Sequence, residues 1–225
     1  MLTGNVNALN LNLTGIDPAR VRKTLEPIAG IIATEQTPPA PLIAYSDDPV
    51  TAIGASFVTI AVPDFQSTVW GFPSFWIVMS ISPNLKIGAN FSAYEWLGDN
   101  IQTVGPFISA SWGDNKKSTN AGFHVLRLKG PDDFHINNIG IELSRNIRYP
   151  NWNVAIGYSA HFMQCVIHVT DHTLPAQNYK TTKSIDINLL RFSAYRIFQN
   201  NMQIGSELSV SRHLLSVQFL ILKYF

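Results

Sequence analysis

The sequence is short of charge. Asp, Glu, Lys and Arg make up 14% of its 225 residues, against roughly 25% in an ordinary soluble domain. Hydrophobic residues stand at 46%, so Gly, Ser, Thr and Asn fill the places that charges usually take. Disorder, which needs low hydrophobicity with high net charge, is excluded. The 16 basic and 15 acidic residues nearly cancel, which removes the electrostatic case for nucleic acid as a partner. Cysteine is almost missing: Cys165 alone makes neither a disulfide framework nor a cysteine-rich zinc site. Long apolar runs are missing too. The longest, such as Phe75-Trp76-Ile77-Val78-Met79 and Phe219-Leu220-Ile221-Leu222, fall short of the roughly 18 residues a membrane helix needs. Met1-Leu2-Thr3-Gly4-Asn5 does not open a secretory signal, because no basic stretch and apolar segment follow.

What is present divides into two textures. Residues 1–50 hold an Asn-rich opening (Asn5, Asn7, Asn10, Asn12) and one helix signal. Asp17 suits an N-cap and Pro18 the first helical position, where no intrahelical amide is needed. The helix is expected over Ala19–Leu25, with Pro27 limiting or kinking it. Pro38-Pro39-Ala40-Pro41 reads as an extended connector.

From residue 51 onward the pattern has period two. Leu85, Ile87, Ala89, Phe91 and Ala93 alternate with Lys86, Gly88, Asn90, Ser92 and Tyr94. Val154, Ile156, Tyr158, Ala160 and Phe162 alternate with Asn153, Ala155, Gly157, Ser159 and His161. Such alternation marks strands with one apolar face and excludes helices there. Turn residues at Pro83-Asn84, Gly98-Asp99-Asn100, Asp114–Lys117, Gly130–Asp133, Pro150-Asn151 and Gln199–Asn201 punctuate the runs. Ten strands are expected, at 51–62, 74–82, 85–96, 101–112, 120–129, 136–148, 152–165, 184–198, 202–212 and 214–225. Several run to about 10–13 residues, longer than soluble strands and matched to the roughly 9–11 residues of a tilted transmembrane strand. Short sequential turns imply an antiparallel up-and-down meander.

A soluble lipocalin-like domain or sandwich also alternates, so three further features decide the expectation. The polar face is built of Gly, Ser and Asn, which suit a crowded lumen. Trp96, Trp112, Tyr149, Trp152, Tyr195, Phe198 and Tyr224 fall at strand ends, where amphipathic rings meet the membrane–water boundary. The chain closes on Ser216-Val217-Gln218-Phe219-Leu220-Ile221-Leu222-Lys223-Tyr224-Phe225. A long last strand ending on Phe resembles the terminal signal of bacterial outer-membrane β-barrel proteins. Val217, Phe219 and Ile221 match its apolar alternation; Lys223 departs from it, with its ammonium able to reach water.

That resemblance implies an all-β antiparallel up-and-down transmembrane barrel of about ten strands over residues 51–225, in the cell outer membrane of a Gram-negative bacterium. The lipid bilayer would be one partner, and the barrel-insertion machinery, reading the strand that ends at Phe225, another. The C-terminus would face the periplasm with Pro83-Asn84, Asp114–Thr119, Pro150-Asn151 and Gln199–Asn201. Segments 63–73, 97–100, 130–135 and 166–183 would be external. Residues 1–50 would form a periplasmic or plug-like segment, whose helix either enters the lumen or is loosely attached.

Groups able to do chemistry are few. By phase Lys86, Asn90, His124, Glu142, His161, Asp186 and Glu207 line the lumen as a solute pathway, with Arg148 and Arg191 on the same face. No G-x-S-x-G or H-E-x-x-H signature is present, and a mixed-sign interior reads as a structural network rather than a catalytic site. His168-Val169-Thr170-Asp171-His172 has a zinc-like spacing but lies in a β-rich loop. Cys165 reads as a buried or lipid-facing thiol. No enzyme activity, metal or cofactor is expected. About ten strands give a narrow interior, so the expected function is a narrow channel or transporter for small solutes. The alternatives are a structural or adhesive barrel with a closed lumen, or a soluble ligand-binding domain.

Overall fold

The computed structural model describes residues 21–43, 50–61, 69–96, 99–129, 134–169, 179–198, 200–212 and 214–225. Two helices, α1 (Val21–Gln36) and α2 (Ala40–Ile43), precede ten strands. The strands are β1 (Thr51–Ala61), β2 (Val69–Ser82), β3 (Leu85–Trp96), β4 (Asp99–Gly113), β5 (Lys117–Lys129), β6 (Phe134–Arg148), β7 (Trp152–Val169), β8 (Tyr179–Phe198), β9 (Met202–Val210) and β10 (Leu215–Tyr224). Each pairs antiparallel with its sequence neighbours, and β1 with β10 closes the barrel. Closure leaves no free sheet edge, which is the condition for crossing a membrane with strands.

The side-chain phase is that of a membrane barrel. Phe57, Phe75, Ile77, Phe91, Ile108, Phe123, Ile141, Ile156, Phe162 and Phe219 stand exposed on the outer wall. Trp76, Asn90, Phe107, His124, Glu142 and Leu220 point inward and are buried. An apolar outer wall of this extent has no soluble counterpart; lipid is the medium that accepts it. At one end Trp112, Tyr149, Trp152, Phe198 and Phe225 are exposed together, forming an aromatic girdle. Tyr195, expected in that girdle, is instead buried in the lumen, and the side chain of Tyr224 turns inward to the Pro41 carbonyl. Both lie on the inward phase of their strands, and position near a strand end does not reveal that.

The girdled end carries the tight links at Pro83-Asn84, 114–116, 149–151 and 199–201, while the opposite end carries 62–68 and 170–178. Short turns are periplasmic and long loops extracellular in this architecture, so the girdled end faces the periplasm. Asp114 ties one turn by accepting hydrogen bonds from the amides of Lys116 (2.7 Å) and Lys117 (2.8 Å). Those amides hold its carboxyl below the usual carboxylate range.

The largest differences from the expected strand ends are extensions, whereas β9 stops at Val210, short of its expected end at 212. β2 starts at Val69, β7 runs on to Val169 and β8 starts at Tyr179. The pairs His168↔Lys180 and Val169↔Tyr179 shorten the expected 166–183 loop. The cause is a change of phase chemistry along these strands. Ile185, Ile187 and Leu189 point inward, while Ser184, Asp186 and Asn188 point outward. The apolar face thus swaps sides above the bilayer, and alternation of polarity no longer marks lumen against exterior.

Candidate functional site

The lumen is occupied by the chain's own N-terminal region. The helix α1 begins at the extracellular end, where Leu25, Ala29, Ile31, Ile32 and Ala33 pack in one apolar cluster. Its partners there include Leu126, Leu128, Phe134, Ile136, Cys165, Ile167, Ile185 and Leu214. From that cluster the chain descends step by step. Thr34 and Ser216 share a hydrogen bond of 3.2 Å. Asn90 donates to the Glu35 carbonyl at 3.1 Å, and Asn138 donates to the Gln36 side chain at 3.1 Å. Thr37 meets His161 at 3.1 Å. Arg191 donates to the Pro38 carbonyl at 2.9 Å and Asn146 to the Ala40 carbonyl at 3.2 Å. Tyr224, at the periplasmic rim, donates to the Pro41 carbonyl at 3.1 Å. The segment therefore threads the barrel from the extracellular to the periplasmic end.

This placement explains why α1 outruns its expected length. It continues through Pro27 to Gln36, although proline removes a helical hydrogen bond at a cost of about 3 kcal/mol. Residues 31–42 are buried on every side, as for a helix enclosed in a core. Burying a side chain such as Leu25, Ile31, Ile32 or Leu42 contributes about 1.5–3 kcal/mol each, so the enclosure outweighs the local penalty. Thr34 and Thr37 bond back to the carbonyls of Gly30 (3.1 Å) and Ala33 (2.8 Å), which lets hydroxyls sit in a closed space. The expected extended connector at Pro38–Pro41 is in part helical, since α2 starts at Ala40. Asp17 and Pro18, expected to start the helix, lie outside the described residues.

Below the apolar cluster the lumen is polar and centred on Arg191 of β8. Its guanidinium reaches Glu142 of β6 at 2.8 Å and Glu207 of β9 at 2.5 Å, besides the Pro38 carbonyl. One cation thus joins two carboxylates from different strands to the threaded segment, with all three side chains buried. Beside it, the rings of His124 and His161 lie 5.0 Å apart. His161 also lies within hydrogen-bonding distance of Asn138 (3.0 Å) and Ser159 (3.2 Å). Gly140 makes room for this pair, because a Cβ there would sit 1.8 Å from His124 Nε2. Gly122 does the same for Glu142, whose carboxylate would be 2.5 Å from an added Cβ.

Of the residues expected on the solute pathway, Lys86, Asn90, His124, Glu142, His161 and Glu207 are buried on the inward phase. Asp186 is not among them. It is exposed and pairs with Phe162 on the outer wall, because the phase of β8 is set by inward Ile185 and Ile187. Arg191 and the α1–α2 segment are the features that the sequence expectation did not place at the centre. Toward the periplasm the lumen opens into a cavity of about 230 Å³. Lys86, Lys116, Arg148, Asn146, Asn153 and Gln203 are among its lining residues. Cys165 is buried in the apolar cluster on the lumen side. Among the described residues no cluster of three His, Cys, Asp or Glu side chains is arranged to hold a metal ion. His168 belongs to β7 and is the paired neighbour of Lys180, whereas Thr170–His172 lie outside the described residues.

A closed ten-stranded barrel with a lipid-facing wall, an aromatic girdle and a filled lumen defines a bacterial outer-membrane β-barrel protein. A solved structure agrees on the fold. The translocator domain of the autotransporter NalP from Neisseria meningitidis is similar at 9% identity, covering 90% of this chain and 98% of that one, with a TM-score of 0.54. The outer-membrane protease OmpT from Escherichia coli is similar at 10% identity over 80% of this chain and 98% of its own, TM-score 0.46. The KdgM porin in complex with disordered oligogalacturonate is similar at 10% identity over 77% of this chain and 99% of its own, TM-score 0.44. No sequence-family description matches the chain, and no curated protein matches it in sequence.

Proposed function

We propose that this barrel carries the chain that precedes Val21 across the outer membrane and holds it at the cell surface, with α1 and α2 retained as the plug. The single observation behind this reading is the direction of threading. Residues Leu25 to Pro41 meet barrel partners in order from the extracellular cluster to the periplasmic rim. The N-terminal end of α1 therefore lies at the outside, while the strands begin at the inside. Similarity in fold to a translocator domain of an autotransporter supports the same reading. Residues 1–50 act as a transported and plugging segment and residues 51–225 as the barrel.

The reading is non-enzymatic. Ser159 and His161 approach each other, but both are sealed from solvent, and a nucleophile needs a route for its substrate. Small-solute passage requires the plug to leave, because α1 fills the upper lumen. Insertion by the barrel-assembly machinery rests on the last strand, where Phe219, Ile221 and Phe225 face outward. There Lys223 donates to the Asn200 carbonyl and lies 6.0 Å from the Phe225 ring, so its charge stays at the periplasmic rim.

The test is an epitope tag placed before Met1 and probed on intact cells. Labelling by antibody without permeabilisation is the expected result. Labelling only after the outer membrane is opened would overturn the proposal.

A further inference from the structure

The outer wall of β5–β8 changes chemistry above its apolar belt. Val125, Ile139, Phe162 and Asp186 are paired across the four strands as one outward row. The next outward row toward the cell surface is Arg127, Asn137, Gln164 and Ser184. Above it come Lys129, His135, Val166 and Thr182, then His168 and Lys180. Arg127, Lys129 and Lys180 are exposed. The rings of His135 and His168 stack at 5.7 Å between them, and Arg127, His168 and Lys180 all lie within electrostatic reach of His135. Asp186, at the lower margin, is the only acid among the described outward residues from that first row upward. On the adjoining β9–β10 flank Val210, Leu215 and Val217 carry the apolar wall up toward the rim. Arg127, Lys129 and Lys180 thus gather on β5–β8, where β7 and β8 are the longest strands and project furthest, while Arg212 is the exposed cation at the lower β9–β10 rim.

We infer that this face binds the phosphorylated sugars of the outer leaflet's lipopolysaccharide. Its outward direction points it at the membrane's own molecules rather than at the lumen. Two residues along a strand advance about 7 Å, so Arg127 reaches the headgroup layer just beyond Val125. Lys180 lies two rows higher, about 13 Å further along the strands, so the cations stand at successive levels. A phospholipid presents its phosphate at one level. Cations at successive levels match a lipid whose sugars carry phosphates at several depths. Guanidinium and ammonium groups bind such oxygens through charge-assisted hydrogen bonds, and clustered basic residues beside a membrane add attraction one by one.

The test uses the full chain in detergent and native mass spectrometry with three probes: deep-rough lipopolysaccharide, the same lipid stripped of phosphate, and phosphatidylglycerol. The variant is R127Q/K129Q/K180Q, and K117Q/R145Q on the periplasmic half of the same wall is the control. The parent and the control should retain lipopolysaccharide at least about tenfold better than the triple variant, a difference of about 1.4 kcal/mol. The stripped lipid and phosphatidylglycerol should not distinguish the proteins. Equal retention by parent and triple variant overturns the inference. So does retention that ignores phosphate, or an equal preference for phosphatidylglycerol. If the triple variant does not fold, K180Q alone, at the outermost level, should still weaken retention of lipopolysaccharide and leave phosphatidylglycerol unchanged; no weakening would count against the site. Surface labelling of the N-terminal tag does not depend on this patch, so the two proposals fail separately.

Discussion

Arg191 donates to the carbonyl of Pro38 at 2.9 Å, joining the barrel wall to the segment that threads it. The same guanidinium holds Glu142 and Glu207, so a single side chain organises β6, β8, β9 and the plug. A buried cation between two carboxylates is costly to desolvate, and its worth lies in what its loss leaves behind.

Arg191→Ala should leave two buried carboxylates facing each other and an unpaired Pro38 carbonyl. The expected loss is about 3–5 kcal/mol, seen as a lower temperature for conversion of the folded to the unfolded band on gels of unheated samples. Arg191→Met combined with Glu142→Gln and Glu207→Gln removes the charges together and should recover much of that loss. Equal instability of the two variants would show that the network acts through packing alone.

The plug sets the conductance. In planar bilayers the full chain should be closed or nearly so, because α1 occupies the lumen. Removing residues 1–43 should produce steady openings, since the polar inward side chains then line a water-filled path. Identical traces from the two proteins would contradict the occupied lumen.

The belt and the upper wall should respond differently to charge. Ile141→Arg places a guanidinium on the lipid-facing wall at a cost of about 2–4 kcal/mol if near the midplane. Asp186→Asn, above the belt, should change stability little. Denaturant unfolding from lipid vesicles reads both, and the opposite ranking would invert the assigned faces.

The Asp114 turn carries a pH dependence of known sign. Its carboxyl titrates below the ordinary value because two backbone amides bond to the charged form. Its contribution is complete above the unfolded-state value, near pH 4, and disappears as pH falls through the lower folded value. Amide exchange at Lys116 and Lys117 should accelerate below that window, and Asp114→Asn should flatten the response. Exchange that speeds up instead between pH 5 and 7 would assign the effect to other groups.

Much of the barrel was legible because its signal is local. Leu85–Ala93 and Val154–Phe162 alternate in polarity with the period of a strand, and Pro83-Asn84 and Pro150-Asn151 mark the turns. The C-terminal pattern at Val217, Phe219 and Ile221 named the class. Polarity misled at Asp186, where the wall leaves the lipid and the inward residues become apolar. Tyr195 misled for a related reason: an aromatic near a strand end belongs to the girdle only if its phase is outward. The long α1 was hidden by Pro27, since local propensity knows nothing of an enclosing lumen. Arg191 was visible as an inward charge, but its partnership with Pro38 joins residues far apart in sequence, and no spacing rule announces it.

The central claim is that α1 threads the lumen, and a disulfide trap tests it most directly. Thr34 and Ser216 place their hydroxyl oxygens 3.2 Å apart, so T34C/S216C in a C165A background puts two thiols within bonding reach. In cells assembling the barrel, oxidation should join the two cysteines in nearly all folded molecules. Folded protein that remains fully reduced, with both thiols open to alkylation, would contradict the threaded helix.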